Sequence, residues 1–135
     1  MRIILQTLLI IILISMSSVF AQTLDDYILE VRGDTLVIKD FVDMGNEAGS
    51  INQVFALDDA PPEGRVYELK AYGYYPMASN PQTPARPVTI VGAIKEQVLK
   101  ATGDAPPIIC GYSGNSGGIN FSDDLTVKNC AIYQM

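Results

Sequence analysis

Short apolar runs separated by turn residues dominate the second half of this chain. Val66–Leu69, Val88–Val91, Ile108–Cys110 and Leu125–Lys128 each read as a strand, rich in β-branched and aromatic side chains. Within them Tyr67, Ile90, Ile109 and Val127 follow one another at intervals of 23, 19 and 18 residues. A near-constant interval of about 20 residues predicts a repeated unit stacked on itself rather than one closed sheet. Val88, Ile108 and Leu125 are therefore expected to open successive rungs of one wound ladder.

Each unit reads as strand, bend, strand, variable loop. Arg65–Leu69 is followed by a shorter strand at Gly73-Tyr74-Tyr75-Pro76, and Val88–Gly92 by a weak one at Gln97–Leu99. Pro107–Gly111 takes Ile119–Phe121 as its partner, and Leu125–Asn129 takes Ala131–Tyr133. Gly92, Gly111 and Asn129 each close a first strand, where a left-handed backbone is expected. The Met77–Pro87 loop carries Pro81, Pro84 and Pro87, a stiffened excursion of the kind that carries binding sites or merely connects.

The preceding stretch has a different texture. Tyr27–Val31 and Thr35–Lys39 flank Arg32-Gly33-Asp34, which predicts a hairpin or an opening strand pair. Ile51, Val54, Phe55 and Leu57 follow helical spacing, with Asn46 or Ser50 as the cap. Asp58–Gly64 then breaks the chain. Stacked units expose core and strand edges at an open end, so this helix is expected to cover the bottom of the column. No comparable cover follows the last strand. The expectation is that residues 64–135 are the leading coils of a longer polypeptide, the alternative being a small protein that pairs its open end with a partner.

The first residues predict an export signal. Met1-Arg2 is basic, Ile3–Ile14 is mostly aliphatic, and Ser15–Ala21 is small and polar, with Val19 and Ala21 suiting cleavage before Gln22. About 12 apolar residues are too few to span a bilayer, so no stable membrane insertion is expected after cleavage. The chain carries nine basic and 15 acidic residues, a formal charge of −6, and loss of Arg2 makes it one unit more negative. That surface disfavours nucleic acid, which selects clustered Lys and Arg. Histidine is absent, which removes the commonest general base and metal ligand near neutral pH.

Cys110 and Cys130 are the two cysteines. Export permits a disulfide between them. Matching Ile108 to Val127, however, sets Cys110 opposite Asn129 and turns Cys130 to the other face. A bridge and two buried thiols both remain open.

Gly64–Leu69 with Gly73-Tyr74-Tyr75, followed by Val88-Thr89-Ile90-Val91-Gly92, resembles the first coil of right-handed parallel β-helix proteins of the pectate-lyase-like superfamily. Gly118–Phe121 with Leu125–Ile132 resembles a further coil, in which an asparagine (here Asn129) ends the strand. The resemblance covers Gly64–Met135 and is similar in layout to large secreted proteins of Gram-negative bacteria. It implies an all-β fold and export through the periplasm. Enzymes of that superfamily act on middle coils with Asp, Arg or Lys, often with calcium. Those coils lie outside this chain, so the resemblance carries no catalytic, cofactor or metal residue onto it, and calcium is implied only for a full-length protein.

Several motifs invite chemistry. Gly114-Asn115-Ser116-Gly117-Gly118 resembles the nucleophile loop of trypsin-like proteases, but without histidine the serine has no imidazole to take its proton. Gly111-Tyr112-Ser113-Gly114-Asn115 lacks the final glycine of a hydrolase elbow. Arg32-Gly33-Asp34 spells an adhesive tripeptide and equally an ordinary turn. Asp25-Asp26, Asp58-Asp59 and Asp123-Asp124 offer oxygens for calcium, yet none has loop-type ligand spacing. Tyr67, Tyr72, Tyr74 and Tyr75 read either as strand packing or as an aromatic platform, with Tyr72, Tyr74 and Tyr75 the candidates for sugar contact.

The sequence therefore predicts an all-β chain: a signal peptide over 1–21, a hairpin and capping helix over 22–63, and the first coils of a right-handed parallel β-helix over 64–135. The function expected is that of a secreted, non-catalytic protein that binds polysaccharide or a cell surface. The competing reading is the leading part of a polysaccharide lyase or related carbohydrate-active enzyme whose active site lies downstream.

Overall fold

A computed structural model describes residues 21–93, 105–111 and 118–133. Residues 1–20 of the expected export signal, the weak strand at Gln97–Leu99 and the Gly114–Gly117 loop lie outside the described residues. What is described is mainly β. A short 3₁₀ turn, Leu24–Tyr27, leads into strands β1 (Ile28–Arg32) and β2 (Thr35–Ile38), then helix α1 (Ser50–Leu57). Strands β3 (Val66–Lys70), β4 (Tyr74–Met77), β5 (Val88–Ala93), β6 (Ile108–Gly111), β7 (Leu125–Lys128) and β8 (Ala131–Tyr133) follow.

These strands form two sheets. One has the order β1-β2-β3-β5-β7, the other β4-β6-β8. Only β1 and β2 are antiparallel, joined by a turn with Gly33 at φ +59°. Every other pair is parallel. Register is kept from layer to layer. In the larger sheet Leu36 aligns with Tyr67, Tyr67 with Ile90, and Ile90 with Val127. In the smaller one Tyr75 aligns with Ile109 and Ile109 with Ile132. A third line of pairing is a single parallel bridge between Gln82 and Asn120.

This arrangement corrects the expected ladder. Val88 does lie against Leu125, but Ile108 opens a strand of the other sheet and pairs with Tyr74. The units are β3/β4, β5/β6 and β7/β8, so Ile108–Gly111 follows β5 as its second strand. Ile119–Phe121 does not pair with β6; Asn120 reaches Gln82 instead. Strands of both sheets are short and apolar, and β6 (Ile-Ile-Cys-Gly) has no polar alternation to set it apart, so its composition does not reveal which sheet it joins.

The column between the sheets holds the core. Tyr67, Leu69, Ile90, Tyr75, Met77 and Ile109 are fully buried. Full burial of each aliphatic among them contributes roughly 1.5–3 kcal/mol. Two tyrosines place their hydroxyls deliberately. The Tyr75 hydroxyl donates to Ile38 O at 3.0 Å and accepts from Lys70 N at 2.9 Å, tying three strands together. The Tyr67 hydroxyl donates to Asp58 Oδ2 at 3.0 Å, and the same oxygen lies 3.0 Å from Arg65 Nε. Burial, then the Asp58 charge, holds the Tyr67 hydroxyl protonated well above the usual tyrosine range.

The β4 edge of the smaller sheet is closed. Phe41 N donates to Tyr74 O at 2.9 Å and Gly49 N donates to Pro76 O at 2.8 Å. Helix α1 then buries Ile51, Val54 and Phe55 and packs on β4, β2 and the opening 3₁₀ turn. Neither Asn46 nor Ser50 caps it. Gly49 stands at the N-cap with φ +97°, and Asn46 sits in the preceding turn at φ +68°. A Cβ at Gly49 would lie 3.0 Å from Ala78 Cβ, so the close approach to the residue that follows β4 as well as the positive φ calls for glycine. The β7/β8 side differs. There Ile132, Tyr133 and Phe121 are exposed, and Leu125 and Val127 are half-buried.

Candidate functional site

A groove about 570 Å³ in volume separates helix α1 from the loop between β4 and β5. One wall is the helix face carrying Asn52, Gln53 and Ala56, and the other is the proline-bearing segment from Ser79 to Ala85. The wall is fixed from both ends. Asn52 Nδ2 donates to Ser79 Oγ and Ser79 O at 2.9 and 3.1 Å, while its Oδ1 accepts from Ala78 N at 3.1 Å. Further along, Thr83 N donates to Asn120 O at 2.8 Å and Asn120 N to Pro81 O at 2.9 Å. Asn80 Oδ1 accepts from Gly118 N at 3.0 Å. Pro81 and Pro84, both buried, restrict the backbone between these anchors.

The Asn52 amide and the Asn80 carbonyl oxygen are thus consumed in building the groove. Gln53, Gln82 and Asp59 also line it, all three are exposed, and none makes a side-chain hydrogen bond among the described residues. The loop carrying this wall was conspicuous in the sequence for its prolines. Its amides were not, because asparagine and glutamine are common in any surface loop. Only the fold brings Gln53 across from Gln82.

The sequence-predicted tyrosines do not form one platform. Strand alternation turns Tyr75 and Tyr67 into the core, where each is at most 1% exposed. Tyr74 faces outward and packs edge-on against Phe41, with ring centroids 5.7 Å apart. Tyr72 alone is well exposed, on the bend between β3 and β4 at φ +61°. A sugar ring therefore has Tyr72 and part of Tyr74 available, and Tyr75 not at all.

The acidic pairs separate in the same way. Asp26 Oδ2 accepts from Thr23 N at 2.7 Å and closes the opening turn. Asp58 is engaged by Tyr67 and Arg65, and Asp123 Oδ1 accepts from Asp124 N. Among the described residues no group of three or more potential metal ligands converges. In the Arg32-Gly33-Asp34 turn the arginine is ion-paired with Glu68 and with Glu30 at 3.5 Å.

One charged cluster has no signature in the sequence. Lys70 Nζ lies 2.7 Å from Asp43 Oδ2 and 3.1 Å from Asp40 Oδ2. Asp43 N donates to Asp40 Oδ1 at 2.9 Å. Burial raises the Asp43 carboxyl, but the Lys70 and Asp40 hydrogen bonds outweigh it and hold Asp43 below the usual carboxylate range. Lys70 is held above the usual lysine range: burial opposes its charge, and the two carboxylates more than compensate. The cluster joins the 40–43 turn to the end of β3 and is structural.

Cys110 and Cys130 are both free thiols. Cys110 lies on the outer face of the smaller sheet, in register with Pro76 and Tyr133, whereas Cys130 packs against the core. Among the described residues no helix is long and apolar enough to cross a membrane. No known family, curated protein or solved structure matches the chain.

Proposed function

We propose that this chain is the capped end and first layers of an exported right-handed parallel β-helix of the pectate-lyase-like kind, serving a non-catalytic protein that binds polysaccharide or a cell surface. The observation that carries the fold reading is the register shared by successive layers, Tyr67 to Ile90 to Val127 in one sheet and Tyr75 to Ile109 to Ile132 in the other. The Gln82–Asn120 bridge supplies the start of a third side. Helix α1 and the Phe41 and Gly49 amides serve as the cap. The half-buried Leu125 and Val127 and the exposed Ile132 are inward positions that a further strand–turn–strand layer covers.

The binding role is favoured by an open groove with preformed walls and uncommitted polar side chains. Its test is an assay of the exported protein on a panel of polysaccharides. Binding is measured by affinity electrophoresis and chemistry by absorbance of unsaturated uronates. Retardation without product is the expected result. Release of unsaturated products would overturn the non-catalytic reading in favour of a lyase. N-terminal sequencing of protein exported by a Gram-negative host tests the leader, with Gln22 expected as the first residue.

A further inference from the structure

We propose that the groove between α1 and the 79–85 segment is the polysaccharide site, and that it takes a neutral oligosaccharide segment held by Gln53, Gln82 and Asp59. This inference rests on the polysaccharide-binding reading and adds the place and the ligand class.

Three features select this ligand. The first is the kind of polar group on offer. Each glutamine amide presents a donor beside an acceptor, and the Asp59 carboxylate presents two acceptors. Adjacent sugar hydroxyls present donors and acceptors in the same side-by-side fashion, so these planar groups engage them in pairs. The second feature is the apolar remainder of the lining, with Phe55, Ala56 and Pro84 among it, against which the C–H faces of a sugar ring pack. The third is charge. Among the described residues the lining contains no lysine or arginine, and the nearby Arg86 is tied back, its Nη1 donating to Pro61 O at 2.8 Å. With Asp59 in the groove and a net negative chain, uronate, sulfate and phosphate groups meet repulsion and no cation.

The groove is also ready for its ligand. Asn52, Asn80, Asn120 and the two prolines already hold its walls, so little ordering accompanies binding. Its volume falls within the range of roughly 300–1,000 Å³ of small-molecule sites.

The test titrates the full, exported chain with cello-, xylo- and manno-oligosaccharides and, separately, with oligogalacturonate. The side-chain amide resonances of Gln53 and Gln82 are followed by NMR. At least one neutral series is expected to shift both amides, with little dependence on salt. The Gln53→Ala/Gln82→Ala double variant is expected to bind about tenfold more weakly, since each lost hydrogen bond is a factor of about three or more. Both side chains are exposed, so the variant should melt like the parent. Neutral oligosaccharide binding that the double variant retains would overturn the groove assignment while leaving polysaccharide binding intact. Preference for oligogalacturonate would overturn the neutral class. Binding of no polymer by the parent chain would overturn the functional reading itself.

Discussion

A Cβ atom on Gly92 would collide with the carbonyl oxygen of Asn129. Gly92 lies within β5 and has no left-handed backbone, so its glycine answers to close approach rather than to conformation. Asn129, at φ +56°, turns the chain from β7 into β8 directly over it. Gly92→Ala therefore forces adjacent layers apart and is expected to cost about 1–3 kcal/mol in chemical denaturation, the usual penalty of overpacking. Gly33→Asn, at a positive φ with open space around the Cβ, is the control and should cost less than about 1 kcal/mol.

Tyr75 yields a second prediction. Its hydroxyl is the partner of both Lys70 N and Ile38 O, deep in the core. Tyr75→Phe keeps the ring and leaves a buried donor and a buried acceptor unpaired. The expected loss is about 1–3 kcal/mol. A variant as stable as the parent in urea titration would show that water reaches these groups.

Much of this architecture was legible in the sequence, and the failures are instructive. The hairpin, the helix and the six later strands follow from alternation and turn residues. The assignment of Ile108 to the Val88–Leu125 column does not, because the real layers are unequal in length. Tyr67 to Ile90 spans 23 residues and Ile90 to Val127 spans 37. The 23-residue step is a full layer, whereas the steps of 19 and 18 run from Ile90 to Ile109 in the other sheet and back to Val127, so the even interval near 20 mixes one full layer with two half-layers. Gly92 lies inside β5 and Asn129 just past the end of β7, and they serve different needs; a glycine needed for space reads the same as one needed for φ. The groove was half visible, through Pro81 and Pro84, while Gln53 sits in a helix far from them in sequence. Tyr75 and Tyr74 were indistinguishable until the strand's facing was known.

The Lys70 cluster predicts a pH response. Asp43 is lowered in the folded state, so its stabilisation is complete above the ordinary carboxylate pKa and is lost as pH falls through the lowered folded value. Lys70 is raised, so its stabilisation is complete below the ordinary lysine pKa and is lost as pH rises through the raised value. Lys70→Met should therefore lower stability by about 1 kcal/mol near neutral pH, a figure reduced because Lys70 is one-third exposed. The difference from the parent should shrink in acid, as the carboxylates protonate. A constant difference from pH 3 to pH 8 would contradict the ion-pair account.

The thiols give a further check. Burial pushes Cys130 up to about 11, with a Gly92 backbone hydrogen bond opposing, and Cys110 is only 2% exposed. Both should react slowly with an aromatic disulfide reagent in the native state and rapidly in guanidinium. Intact mass should show two free thiols. A mass lower by two hydrogens would mean that Cys110 and Cys130 are bridged and would contradict their placement as free thiols on opposite faces.

The layered register can be tested most directly by trapping it. Thr89 and Thr126 are direct partners on neighbouring parallel strands, whereas Ile108 belongs to the other sheet. Thr89→Cys with Thr126→Cys should form a disulfide under mild oxidation, identified by peptide mapping, because adjacent strands hold Cα atoms within bridging range. Thr89→Cys with Ile108→Cys should not. Efficient bridging of the second pair and none of the first would contradict the two-sheet stack.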